Sequence, residues 1–173
     1  YDALKNLTSG AGNIAIGYQA LTASPDGYNN VAIGYQAAKA VDGGSNAVYI
    51  GYQAGLLNVG GSTSVMIGSN AGVAGTDIDG CILIGYQAGM AINANGADNT
   101  TAIGNSALAA LTSGGRNTAV GYQALTALNS TNAEAANTAV GYQAGVAMTS
   151  GVRNTLLGET AGAAIVGGTD NTC

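Results

Sequence analysis

The sequence predicts a repeat solenoid, mainly β, with one short strand and one short helix in each unit of about 17 residues. Three observations predict it. The word Gly-Tyr-Gln-Ala recurs unchanged from Gly17, Gly34, Gly51, Gly85, Gly121 and Gly141, and an aliphatic residue precedes each copy. The composition has 29 glycines in 173 residues and no tryptophan, phenylalanine or histidine, which restricts any core to small and branched side chains.

Three degenerate copies complete a series of nine: Gly68-Ser69-Asn70-Ala71, Gly104-Asn105-Ser106-Ala107 and Gly158-Glu159-Thr160-Ala161. Glycine-to-glycine spacings are 17, 17, 17, 17, 19, 17, 20 and 17. Tyr1-Asp2-Ala3-Leu4 matches the tail of a further unit and Asn171-Thr172-Cys173 the head of another, so residues 1–173 read as one array cut from a longer fibre. The two longer spacings are assigned to enlarged turns at 93–98 and 130–135.

The residues before each glycine, such as Asn30-Val31-Ala32-Ile33 and Asn117-Thr118-Ala119-Val120, read as a short β-strand. Immediately before the glycine stands one aliphatic column, Ile16, Ile33, Ile50, Ile67, Ile84, Ile103, Val120, Val140 and Leu157, which is the expected core. The residue one earlier alternates to the opposite face. It is small in Ala15, Ala32, Ala102, Ala119 and Ala139, which suits close approach of another chain. After the glycine, alanine at the third position in every copy and at the sixth in all but one, where Leu57 stands, fits one or two turns of helix, as in Ala124, Ala127 and Leu128. Clusters such as Thr112-Ser113-Gly114-Gly115 close the unit. The glycines Gly17, Gly34, Gly51, Gly68, Gly85, Gly104, Gly121, Gly141 and Gly158 are expected where the backbone needs positive φ or another backbone comes close. No unit buries its own face, so units must stack, giving a rod about 45 Å long at the strand spacing.

Only 8% of residues are charged and the net charge is −5, which leaves no basic surface for nucleic acid or anionic lipid. Apolar runs reach about four residues against the roughly 20 of a membrane helix. Without histidine there is no His-based triad, metal ligand or proton shuttle. The segment therefore reads as non-enzymatic, with no catalytic, metal or cofactor residues. Asp77 and Asp79 are the nearest carboxylate pair, open to a calcium or acid/base reading, but beside Gly75 and Gly80 they read as turn chemistry. Cys81 and Cys173 lie more than five units apart, about 25 Å by strand spacing and beyond disulfide reach.

Thr101, Thr118, Thr138, Thr155 and Thr172 share a strand column with Ile14, Val31, Val48, Val65 and Ile82. A threonine ladder raises an ice-binding reading; sharing a face with the aliphatic column makes it a structural ladder. The stripe Tyr18, Tyr35, Tyr52, Tyr86, Tyr122 and Tyr142 raises a sugar-stacking reading; a Gln after each, and breaks at Ser69, Asn105 and Glu159, read as repeat packing. Asn-x-Ser/Thr sequons at Asn6, Asn99 and Asn129 are at chance level in so Asn- and Thr-rich a chain.

The tandem Asn-x-Ala-Ile/Val-Gly core resembles the head repeats of trimeric autotransporter adhesins. The longer form with Gly-Tyr-Gln-Ala-Leu and a Ser-Gly turn resembles bacteriophage tail-fibre and related surface-fibre proteins more closely. The resemblance covers essentially the whole chain and implies a parallel homotrimer. This unit is longer than the adhesin one and carries a Tyr-Gln pair. The leading expectation is a structural shaft or adhesin segment of a viral, phage-type fibre at the virion surface or outside the cell. Its receptor, a host glycan or protein, would be met through parts outside this chain. A bacterial surface adhesin or extracellular filament is the alternative, ahead of a carbohydrate- or ice-binding solenoid or a glycan depolymerase.

Overall fold

The computed structural model describes residues 1–93, 97–132 and 134–173. Nine three-residue strands form one parallel sheet in sequence order. They are β1 (Ile14–Ile16), β2 (Val31–Ile33), β3 (Val48–Ile50), β4 (Val65–Ile67), β5 (Ile82–Ile84), β6 (Thr101–Ile103), β7 (Thr118–Val120), β8 (Thr138–Val140) and β9 (Thr155–Leu157). Each pairs only with its sequence neighbours, residue for residue: Ile16 opposite Ile33, Ile84 opposite Ile103, Val120 opposite Val140. Parallel strands of consecutive units, one above the next, make a solenoid.

Register survives the longer units. Thr76 Oγ1 still donates to Asn93 one period on, and Thr112 Oγ1 to Asn129. Asn99 N–H reaches Asp79 O and Asn137 N–H reaches Asn117 Oδ1 with the extra residues already absorbed. The insertions thus fall within 93–98 and 130–136; residues 94–96 and 133 of the expected turns lie outside the described residues.

The glycine that ends each strand has φ between 130° and 141° in all nine units. From Gly17 to Gly141, a Cβ would collide with the carbonyl of the glycine one coil further on. Both expected reasons for the residue, positive φ and close backbone approach, operate at once.

The expected helix is absent: the segment after the glycine is a run of turns. Gln36 and Ala38 have φ of 54° and 53°, and their counterparts Gln19 and Leu21 have 52° and 50°. Ala37 N–H donates to Gly34 O within the coil, but Gln36 N–H reaches back to Tyr18 O at 2.8 Å and Ala38 N–H forward to Ala54 O at 2.9 Å. A helix would satisfy these groups internally. Here they bond coil to coil, each bond worth about 1 kcal/mol net, which offsets roughly 1–2 kcal/mol for each left-handed non-glycine residue. Of the alanines at i and i+3 only the first, such as Ala37 or Ala124, faces inward; the second, such as Ala40 or Ala127, is only half-buried, and the interior is completed by the fourth and seventh residues after the glycine, Ala38 with Val41 and Leu125 with Leu128.

The expected core column is corrected as well. Ile16 and Leu157 are 59% and 69% exposed, and Ile33, Ile50, Ile67, Ile84, Ile103, Val120 and Val140 are only half-buried. The inward column is the adjacent one: Ala32, Tyr49, Met66, Leu83, Ala102, Ala119, Ala139 and Leu156 are fully buried, and Ala15 packs against them. Ala15, Ala32, Ala102, Ala119 and Ala139 therefore line their own coil's interior and cannot be a chain–chain contact. The strand is apolar on both faces, and the turns close over the face whose side chains fit them.

That fit is a volume exchange. Where the strand residue is Ala32, Ala102 or Ala119, the turn six residues later supplies Ala38, Leu108 or Leu125, all fully buried. Where it is Tyr49, Met66, Leu83 or Leu156, the same turn position is Gly55, Gly72, Gly89 or Gly162. A Cβ at Gly89 would meet Leu83 Cδ2 and Ile92 Cδ1 at 2.8 Å each. Beside Ala139, the space at Gly145 is taken by Leu125 and Leu156 from the coils on either side.

A polar column seals the inner edge. Asn30 Nδ2 donates to Gly44 O at 2.7 Å, while Asn30 Oδ1 accepts the N–H of Ala47 one coil on at 3.1 Å. Asn137 and Asn154 repeat the arrangement. Ser64 replaces Asn in one middle coil, donating to Ile78 O and accepting Cys81 N–H, between coils that carry Ala47 and Cys81 there. These fully buried side chains satisfy turn groups that would otherwise be orphaned.

The volume exchange predicts compensation. Leu83→Ala alone should cost about 2–5 kcal/mol as a cavity mutation. Gly89→Leu alone should cost about 1–3 kcal/mol as overpacking. The double variant, which copies the Ala102/Leu108 pair, should be more stable than the sum of the two. Thermal unfolding of the four proteins in a double-mutant cycle measures this; strict additivity would contradict it.

Candidate functional site

Three surface features carry the residues singled out by the sequence. The first is the outer face of the sheet. It holds two columns: Ile14, Val31, Val48, Val65, Ile82, Thr101, Thr118, Thr138 and Thr155, and the aliphatic column from Ile16 to Leu157. The threonines share a face with the aliphatic residues, as the alternation requires, and that face points outward. No charged residue interrupts either column. Both columns are aliphatic over β1–β5; over β6–β9 one is threonine. The uncovered face runs about 40 Å at the parallel-strand spacing.

The second is a flank beside it. Turning at the glycine aims the next side chain along the solenoid surface, so the tyrosines stack in register. Ring centroids are 5.2 Å apart for Tyr18–Tyr35, 5.3 Å for Tyr35–Tyr52 and 5.3 Å for Tyr122–Tyr142. The adjoining glutamines form an amide ladder: Gln36 Nε2 donates to Gln19, Gln53 to Gln36 and Gln143 to Gln123, at 2.8–2.9 Å. Ser69, Asn105 and Glu159 interrupt the ring stack.

The third is the turn edge. Asp79 Oδ1 accepts Ser62 N–H at 2.6 Å, and its own N–H donates to Asp98 Oδ1 at 3.2 Å. Asp77 lies on the neighbouring turn against Gly60. The Asp79 and Asp98 carboxylates hold turns together, and among the described residues no group of three or more His, Cys, Asp or Glu is placed to hold a metal. Arg153 makes a bidentate pair with Asp170 at 2.7 and 2.9 Å, whose hydrogen bonds hold the Asp170 carboxyl below its usual range. Arg116 pairs with Glu134 at 2.9 Å. These pairs, all exposed, add little to stability. Asn6, Asn99 and Asn129 are exposed. Among the described residues no helix is long and apolar enough to cross a membrane.

Two titratable groups are buried. The Tyr49 hydroxyl, which accepts from Asn58 Nδ2 at 3.0 Å inside the core, is pushed up to about 12 by burial. The Cys81 thiol, donating to Ala97 O at 3.3 Å, is pushed up to about 11 by the same cause. Cys173 is exposed and free, and no bridge joins the two. The polar partner of Tyr49 was not foreseen from sequence; its signal is Asn58, which stands where Val41, Leu111 and Leu128 stand in other coils.

Compared with known proteins, the chain matches no family model, no curated protein and no solved structure.

The buried groups fix the alkaline limit of stability. Both folded values lie above the unfolded ones, so the contribution is complete below the unfolded pKa and is lost as pH rises through the folded value. Stability should fall from about pH 9 and go on falling to about pH 12, by about 2–3 kcal/mol for each group. Chemical denaturation at stepped pH should show this fall, and Tyr49→Phe with Cys81→Ser should flatten it.

Proposed function

We propose that this chain is a structural, non-enzymatic segment of an extracellular fibre, working as a parallel homotrimer whose three solenoids meet through their outer strand faces. The observation that carries the reading is the uncovered, charge-free face with two columns running through nine strands. Exposed apolar surface this extensive marks an interaction site. A second copy of the same chain suits it best, because parallel copies at equal height match unit to unit along the whole length. The resemblance to trimeric adhesin head repeats sets the number at three. Covering the face is favourable at about 25 cal/mol per Å² of apolar area and stiffens the rod. The interface thus moves from the alanine column to Ile14, Val31, Val48, Val65 and Ile82 with the aliphatic column beside them.

The Gly-Tyr-Gln-Ala-Leu form of the unit favours a phage or other viral fibre, with length and display as its task and receptor contact made elsewhere. The shorter Asn-x-Ala-Ile/Val-Gly core, shared with adhesin heads, supports the second reading of a bacterial surface adhesin or filament.

Sedimentation equilibrium tests the assembly. The unaltered chain should run as a trimer. Val48→Asp with Val65→Asp places six unpaired carboxylates in the interface and should weaken association by roughly a hundredfold or more. Its circular dichroism should be unchanged, because both side chains point away from the coil. Lys39→Asp should do neither. A fully folded monomer of the unaltered chain at high concentration would refute the assembly.

A further inference from the structure

The outer strand face changes character part-way along its length. Its first column is aliphatic through Ile14, Val31, Val48, Val65 and Ile82, then turns at one boundary to Thr101, Thr118, Thr138 and Thr155. The second column stays aliphatic from Ile16 to Leu157. Threonine and valine are both β-branched and close in shape, so the change exchanges a methyl for a hydroxyl and leaves the contour alone. The ladder crosses the boundary without a slip, with Ile82 opposite Thr101. The margin of the face changes there too. Two residues before the column stand Asn29, Asn46, Thr63 and Gly80 on the aliphatic side, whereas Arg116 and Arg153, paired with Glu134 and Asp170, stand beside β7 and β9.

The hydroxyls of this column have no partner within the chain. Among the described residues, the threonine hydroxyls that donate within it are those of Thr8, Thr22, Thr76, Thr112 and Thr149, all outside the strands. Once other copies cover the face, each strand hydroxyl must bond across the interface or lie unpaired at a cost. A hydroxyl both donates and accepts, so three threonines at one height can bond one another round a common axis. A threonine set against valine or isoleucine cannot. Turning one chain end for end lays β9, β8, β7 and β6 against β1, β2, β3 and β4, and all four hydroxyls then meet Ile14, Val31, Val48 and Val65. Sliding a chain by one coil sets Thr101 against Ile82, and each further coil adds another unpaired hydroxyl.

We infer that the threonine column fixes the direction and register of the three chains, while β1–β5 and the second aliphatic column supply the attraction between them. The inference rests on the trimer proposed above and names the residues that select its parallel, in-register arrangement. A polar group within an apolar interface specifies register at a cost in affinity, because the wrong arrangements leave it unpaired. An all-aliphatic face would bind itself in any of these arrangements, since every coil would present the same two branched columns. The boundary between β5 and β6 removes that degeneracy. One direction and one height alone keep hydroxyl on hydroxyl through β6–β9.

Pulsed dipolar EPR on the full chain tests it, with a nitroxide on Cys173, which is exposed, while the buried Cys81 stays unlabelled. The unaltered chain should give one narrow, short distance, because parallel chains in register hold their three labels at one height. The variant carrying Thr101→Val, Thr118→Val, Thr138→Val and Thr155→Val should keep its circular dichroism, since these side chains point outward. By sedimentation equilibrium it should associate at least as tightly, because hydroxyl pairs replaced by apolar groups of the same shape cost little or nothing. Its label distances should spread: slid copies add steps of about 5 Å, and inverted copies add a population displaced by about 45 Å along the axis. A single short distance in the variant, or loss of its association, would overturn the role of the threonines and leave the trimer standing. An unaltered chain that sediments as a monomer would overturn both.

Discussion

Everything in this molecule follows from holding backbones one strand-spacing apart through a whole coil rather than through the strands alone. Three-residue strands are too short to specify a sheet. The remaining inter-coil bonds come from the turns, where Gln36, Ala38 and Ala40 send their N–H groups to neighbouring coils. Left-handed φ values at Gln36 and Ala38 are the means by which one N–H points up the stack and another down. The glycine at the strand end meets the same demand, since its backbone lies against the next glycine's carbonyl with no room for a side chain.

With coil height fixed, the interior has a fixed and small cross-section, and side chains must share it. Tyr49 with Gly55 and Leu83 with Gly89 divide that space one way; Ala102 with Leu108 and Ala119 with Leu125 divide it the other. The unit tolerates sequence drift as long as the pair, or the coils on either side of it as at Gly145, fill the space. Tyr49 also brings a hydroxyl inside, and Asn58 accompanies it, because a buried phenol without a partner would be costly.

The period, the strand positions, the parallel stacking and the role of the glycines were legible in the sequence, because each leaves a mark at one fixed place in every unit. The sidedness of the strand was not. Ile33 and Ala32 are both apolar, and size alone suggested that the larger one belongs inside. The deciding signal is a correlation six residues apart, large with Gly and small with Leu, which no single column displays. The helix failed for a related reason: alanines at i and i+3 fit one face of a helix, but in the coil only the first of them is buried, and the other inward residues are the fourth and seventh after the glycine, such as Ala38 and Val41.

The direction of the hydrogen bonds has a mechanical meaning. Bonds between coils run along the solenoid axis, so tension between the two ends loads them in the peeling direction, one coil at a time, instead of shearing the sheet as a block. Each coil that detaches frees about 17 residues, or roughly 60 Å of extended chain at about 3.3–3.6 Å per residue. Coils further along keep all their own contacts, because each touches only its immediate neighbours. A rod built this way is stiff at rest, yet under sudden load it lengthens stepwise and dissipates work before anything at its ends is torn away.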